Sequence, residues 1–556
     1  MLKKPVTIYD NWSAYDELSD NIVLTEELAM RQLFELLRLR SAGVHFDYYL
    51  MDAFWYAPAS GYRAWRQPHW PNGPDRWLDS CLSNGIKPGL WIAGNTLSKL
   101  EAVPAWTDSL DAEGGRMCLF HGGYLPNLLE TLRYWYERGV RAFKWDFLQL
   151  KAATASIQQS LLPSEIRARN VSALRDGLIA LRRDCPEVLL LGYNGLEEAD
   201  TMSGTDLPLR KTVDTRWLEA FDTLYCGDPR PGDVPCMNFW RSMDIYSDHM
   251  VRVYEKNGFP LERIDNCGFM IGVAGTCYSR RTHAWQGALL LSLARGGLVN
   301  IYHGNLELLD DEQARWFAKA QSLFRALRTD GEFATFGGMP GESQPYGFLA
   351  RDAKGTILTL MNPAQSENTV ELPGVSGGRL LFYDVGYTPR LDGQHLTLGT
   401  GQMAVIGAGR YASPDFDLGQ QADVVIPASV QPYPAQVQPV SGREVTITAA
   451  APASGSLRIV VRQKDKKGRA KRSTGGAPPN GTKLDKIIAI TAQQNGLPVD
   501  VIINYDKAIW SGLSWAVGEI PHDRITPGAP MTIRCATTEP GDVTLAVELY
   551  RVEYGS

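Results

Sequence analysis

The chain has 556 residues, 44% hydrophobic and 21% charged, with a formal net charge of -6. Such a length exceeds what one core organises, so two or three domains are expected. Mild acidity gives no electrostatic footprint for nucleic acid, and no apolar run approaches the roughly 20 residues of a membrane span.

The N-terminal stretch MLKKPVTIYDNW has two lysines but no apolar segment behind them, so no signal peptide is read in it. That leaves the cytoplasm, or the periplasm or exterior if a leader has been removed. From residue 6 onward, short apolar runs alternate with longer amphipathic stretches. The strand-like runs are VTIYDNW, HFDYYLMDAFW, IKPGLWI, RAFKWDF, VLLLGYN, DTLYCGD, IDNCGFMIG and GLVNIYH. Helical patterns such as EELAMRQLFELLRLRSAG, NLLETLRYWYERG and SALRDGLIALRRD lie between them, the first ending in glycine as helices often do. Eight strands alternating with helices predict a (β/α)8 barrel over residues 1–330. No GxGxxG or P-loop favours a doubly wound sheet.

Residues 331–411 read as short alternating strands with glycine turns, an antiparallel β-domain. Beyond a linker, residues 424–556 carry REVTITAA, GSLRIVVRQ, DVIINY, MTIRCA and VTLAVELYRVEY, which predict a β-sandwich. The basic run RQKDKKGRAKR is expected to be a solvated loop between strands, and Trp510 and Trp515 to pack between sheets rather than bind sugar. The eight cysteines contain no CxxC pair and the eight histidines no HExxH, so neither a metal nor another cofactor is expected. Fifteen tryptophans and 23 tyrosines would suit sugar stacking, but large cores use aromatics too.

In a barrel enzyme the chemistry belongs at the C-terminal strand ends. Read in order, those ends present Trp12, Asp52, Trp91, Lys144 with Asp146, Tyr193 with Asn194, and Asp228. Beyond the sixth strand come Arg241 and Asp244. Carboxylates grip hydroxyls through charge-assisted hydrogen bonds while indoles cover the C–H face of a sugar ring. Two carboxylates suffice for glycosidic cleavage, one attacking or activating water and one protonating the leaving oxygen. Lys144 and Asp146, two apart on one strand face, are expected to pair, with the ammonium keeping the carboxylate ionised.

The run KWDF resembles the nucleophile motif of the α-galactosidase clan, glycoside hydrolase families 27 and 36, in which K-x-D closes the fourth barrel strand. YDNWSAY, YYLMDAFWY and WLDSCLSNGIKPGLWI are similar to the clan's first-, second- and third-strand segments, in the same order. NFWRSMDIYSDHM resembles the W-R-x-x-x-D-I stretch of family 27, with the Trp-Arg to Asp spacing changed by about one residue. The resemblance spans the barrel and the β-domain behind it but not the C-terminal sandwich. It implies a retaining hydrolase of terminal α-galactosides, with Asp146 as nucleophile and Asp244 as acid/base. Asp228 is the rival acid/base. Lys144, Asp52 and Arg241 would bind hydroxyls, and Trp12 and Trp91 would shape the pocket. The fifth-strand loop, GYNGLEEADTMSGTDLP, follows neither family's pattern, so other α-glycosidase specificities (α-N-acetylgalactosaminide, α-glucoside) and a β-L-arabinopyranoside stay open. So does a non-catalytic sugar-binding barrel. The expected partner is an oligosaccharide or simple glycoside, with no nucleic acid or membrane, and a homo-oligomer is compatible with everything above.

Overall fold

The computed structural model describes residues 2–555 apart from 13, 15–21, 197–212, 228–230, 274–279, 376, 474–487 and 504–512. It comprises two compact units. One consists of Met1–Gly227, Val253–Gly275 and Gly296–Arg325, the other of Asp228–Arg252, Thr276–Arg295 and Ala326–Ser556.

The first unit holds eight strands: β1 (Val6–Asp10), β2 (Tyr48–Met51), β3 (Lys87–Ala93), β4 (Ala142–Asp146), β5 (Leu189–Gly192), β6 (Thr223–Leu224), β7 (Asn266–Ile271) and β8 (Val299–Gly304). Each falls in one of the eight predicted runs to within a residue. They are parallel neighbours in the order β6-β5-β4-β3-β2-β1-β8-β7. A further parallel bridge joins Leu224 to Ile264, and the Asp265 amide donates to the Leu224 carbonyl at 2.8 Å. That bridge closes the ring, and the architecture is the expected (β/α)8 barrel.

Helices between the strands include α1 (Glu26–Ser41), α2 (Asp75–Ser83), α3 (Tyr124–Glu137), the short α4 (Ala155–Ser160) and α5 (Pro163–Asp184). Later in the chain come α6 (Phe239–Lys256), α7 (Trp285–Ala294) and α8 (Asp311–Asp330). α1 shows how local sequence sets its own limits. The Thr25 side chain accepts from the Leu28 amide, Glu26 and Glu27 sit in the first turn, and Arg38 and Arg40 in the last. Gly43 follows at φ +102°, a conformation that costs any residue with a Cβ. The strands are near-continuous apolar runs because both faces are covered; all five residues of β4 are buried, Lys144 and Asp146 included.

The aromatic richness is mostly packing. Trp55, Trp70, Trp77 and Trp135 gather around Trp65, with Trp65 and Trp70 centroids 4.3 Å apart. Nine of the described tryptophans are fully buried.

In the second unit a six-stranded and a three-stranded sheet are followed by two five-stranded sheets. The latter two enclose an aliphatic core that includes Ile447, Leu457, Ile459, Ile490 and Ile533, a sandwich as predicted. Buried ion pairs recur here: Arg295 Nε lies 2.7 Å from Asp248, and Arg241 pairs with Asp384. The basic run ends strand Ser456–Lys464 and turns at Asp465, which Arg469 grips; Arg472 lies against Asp233. Trp515 is buried but donates to the Gly232 carbonyl, on the strand face opposite its neighbour Ala516, which belongs to the core between the sheets, so it does not pack between the sheets as expected; Trp510 lies outside the described residues.

Candidate active site

The C-terminal ends of β1, β2 and β4 meet around one cation. Lys144 Nζ donates to Asp52 Oδ2 at 2.7 Å and to Asp10 Oδ2 at 2.9 Å. All three side chains are essentially inaccessible. The ammonium also lies over two rings, 4.5 Å from the centre of Tyr193 and 5.2 Å from that of Trp12. The expected Lys144–Asp146 pair is therefore not the one made. The lysine shares a strand face with Asp146 but reaches across to β1 and β2, and acts on Asp146 through charge alone.

Asp146 is held by N–H donors instead. Its Oδ1 accepts from the Phe147 amide at 2.8 Å and from the Asn194 side chain at 3.0 Å, with the Asn194 amide at 3.3 Å. Oδ2 accepts from the Trp91 indole at 3.2 Å. An ionised carboxylate accepts such donors at both oxygens. The backbone turns sharply here: Phe147 adopts φ +52°, a conformation few non-glycine residues take. Asn194 is fixed in turn by a close backbone approach. Its carbonyl accepts from Leu148 N at 3.0 Å, and a Cβ on Gly195 (φ +103°) would sit 2.0 Å from the Leu148 carbonyl oxygen, so only glycine fits.

The electrostatics follow from having too few cations. Burial opposes the Lys144 charge, yet Asp10, Asp52 and Asp146 overcome it and hold its pKa well above that of free lysine. One ammonium cannot balance two buried carboxylates, so burial and the Asp10 charge push Asp52 upward against the pull of Lys144. Behind Tyr193 lies a further acid, Asp265, inaccessible and with neither oxygen hydrogen-bonded among the described residues. Burial pushes it up to about 7, the nearby Tyr193 hydroxyl and Lys144 offsetting this only in part. His303, 3.7 Å from Asp10, is driven well below the usual histidine range by burial and by Lys144. Its ring stands edge-on to that of Trp12.

Seven sequence-predicted residues thus cluster in the first unit: Trp12, Asp52, Trp91, Lys144, Asp146, Tyr193 and Asn194. Trp12, half-buried, and Asn194 are its more accessible members. Asp228 lies outside the described residues. Arg241 and Asp244 belong to the second unit, on α6 rather than at a strand end. Asp244 is buried there, with Arg280 Nη2 at 2.6 Å and Arg241 Nη1 at 3.6 Å, and Arg241 is spent on Asp384. Asp10 was not among the sequence-predicted residues, although it is the last residue of β1 and position at a strand end points to it. Asp265 carries no local signal, because its burial arises only where β6 and β7 close the ring.

No protein-family model matches the chain, and no curated protein matches it in sequence. Solved structures do. An α-galactosidase from Lactobacillus brevis superposes with a TM-score of 0.52 at 12% identity, covering 73% of this chain and 55% of that one. A variant of the family 36 α-galactosidase from Geobacillus stearothermophilus, in complex with 1-deoxygalactonojirimycin, superposes with a TM-score of 0.50 at 13% identity, covering 73% and 56%. The fold is that of the family 36 α-galactosidases. The chain spans little more than half the length of those α-galactosidase structures. No helix among the described residues is long and apolar enough to cross a membrane.

The Asp265 environment has a measurable consequence. Its folded pKa lies above the ordinary carboxylate value, so the native state keeps a proton that the unfolded chain releases above about pH 4. The stability this supplies is full below about pH 4 and is lost as pH rises through about 7. Asp265→Asn removes the titration. In urea unfolding the variant is expected to match wild type near pH 5 and to exceed it at pH 8 by roughly 1–3 kcal/mol. An unchanged difference across that range contradicts the assignment.

Proposed function

We propose that the chain is a retaining glycoside hydrolase acting on terminal α-linked sugars, α-galactosides first, with Asp146 as nucleophile. The observation that carries this reading is the Asp146 carboxylate itself. It ends β4 at the barrel mouth, aligned by Trp91, Asn194 and the Phe147 amide, beside a cluster with more carboxylates than cations. The KWDF resemblance and the α-galactosidase fold support it.

In the first step Asp146 attacks the anomeric carbon, the bond to the aglycone oxygen breaks, and an acid gives that oxygen a proton. The product is a glycosyl ester on Asp146. In the second step the same group, now a base, takes a proton from water, which attacks the anomeric carbon and releases the carboxylate. Both transition states carry positive charge on the sugar ring, and the excess negative charge of Asp10, Asp52 and Asp146 over Lys144 stabilises it. On the resemblance, Asp52 and Lys144 would bind hydroxyls and Trp12 and Trp91 would shape the pocket; of the cluster, Trp12 and Asn194 are the more accessible.

The acid/base is assigned to Asp244 on the resemblance. Its two arginine contacts also suit a purely structural carboxylate, and this favours one alternative, a barrel that binds sugar without cleaving it. Asp244→Ala separates the roles. An acid/base predicts a loss of about 10²–10⁴-fold with poor leaving groups and far less with dinitrophenyl glycosides. An equal loss with both, together with a lowered Tm, would make Asp244 structural.

The overall reading is checked by NMR of the first anomer released from a panel of aryl α- and β-glycosides, wild type beside Asp146→Ala. The expected result is initial α-galactose from the wild type and no turnover in the variant. Release of the inverted anomer, or full activity in Asp146→Ala, contradicts it.

A further inference from the structure

A cavity of about 290 Å³ lies within the second unit, between the Pro235 and Pro363 segments, Val424–Ile426, Arg458 and Tyr554. Three features describe what would fit it. Its walls are largely apolar, with three prolines, Val424 and Ile426. An aromatic ring stands among them: Tyr554 is 41% exposed, its hydroxyl anchored 3.0 Å from Glu519. Polar groups with bonding capacity left over complete the lining.

Arg458 is the telling group. It is 2% exposed, and Nε and Nη2 are spent on Glu519 at 3.2 and 3.0 Å, Nη2 also reaching the Tyr554 hydroxyl. Its Nη1 makes no hydrogen bond to a described residue and is not sealed from solvent. Arg241 Nε and Gln365 Oε1 are buried without a hydrogen-bond partner, which is expensive for polar atoms. Asp423 gives Oδ2 to the Ala284 amide and leaves Oδ1 unengaged among the described residues. Unused donors and unused acceptors therefore line one small space.

The charge balance excludes an anion. Two arginines line the cavity, but Arg458 is matched by Glu519 and Arg241 by Asp384 and Asp244, and Asp423 is a further negative charge. A phosphate or carboxylate would meet a net negative surround. A metal would meet guanidinium groups. A ligand whose groups each donate and accept, on a compact ring with apolar C–H faces, satisfies the leftover atoms and the walls together.

We propose that this cavity binds a neutral sugar unit, as a non-catalytic site in the second unit. The inference rests on the lining residues and not on the barrel being a glycosidase. Carbohydrate bound here holds a polymeric or multivalent substrate to the molecule without being cleaved, because one exposed carboxylate without a second cannot perform either displacement step.

The test is titration of the full chain, by calorimetry and saturation-transfer NMR, with methyl α-galactoside, methyl α-glucoside and methyl phosphate. Val425→Trp fills the mouth from a 54% exposed position, and Tyr554→Ala removes the ring. The expected result is that both variants weaken a glycoside-binding component by about fivefold or more, with turnover at the barrel unchanged and no methyl phosphate binding. Superimposable glycoside isotherms for wild type and both variants overturn the proposal, as does preferential binding of methyl phosphate. Glycoside binding lost in these variants in a chain without turnover would uphold the site and overturn only the glycosidase reading.

Discussion

Everything at the barrel mouth depends on one buried ammonium. Lys144 holds together the ends of β1, β2 and β4 through Asp10 and Asp52, and two aromatic rings close over it. Removing water from a lysine and two aspartates is costly, and a hydrophobic replacement of similar shape would cost less. A fold under selection for stability alone has no use for this arrangement. It makes sense where charge is needed at a fixed point, beside a carboxylate that must stay reactive. Burial, aided by the Asp10 charge, pushes Asp52 upward and Asp265 up to about 7 against the pull of Lys144.

The barrel was legible because its strands are buried on both faces. A run such as VLLLGYN has one sensible reading when a helical pattern follows, and all eight such runs became strands in the expected order. Most site residues were legible for a related reason: position at a strand end is a property of sequence. What pairs with what was not. Residues 144 and 146 share a face, and adjacency suggested a pair, yet strand tilt in the closed barrel brings Asp10 and Asp52 nearer the ammonium than Asp146. Asp265 was illegible because its isolation is created by ring closure. Arg241 and Asp244 were read as pocket residues from a motif, whereas their partners Asp384 and Arg280 are distant in sequence and appear only in the fold.

The two units use buried charge differently. In the first, acids and bases are mismatched in number and converge on a mouth. In the second, Arg241, Arg280, Arg295 and Arg458 each meet a carboxylate, and the pairs bind elements together. Arg458 belongs to both descriptions, since part of its guanidinium is structural and part is left over at a cavity. Such leftover capacity separates a site from a brace.

The central claim is that Asp146 forms a covalent bond to sugar. The most direct measurement is incubation with an α-galactose-configured cyclophellitol aziridine or 5-fluoroglycosyl fluoride, followed by proteolysis and peptide mass mapping. The account predicts a single stoichiometric adduct on the peptide containing Asp146, and none in Asp146→Asn. An adduct on another carboxylate, or turnover of the α-glycoside with no adduct formed, would contradict it.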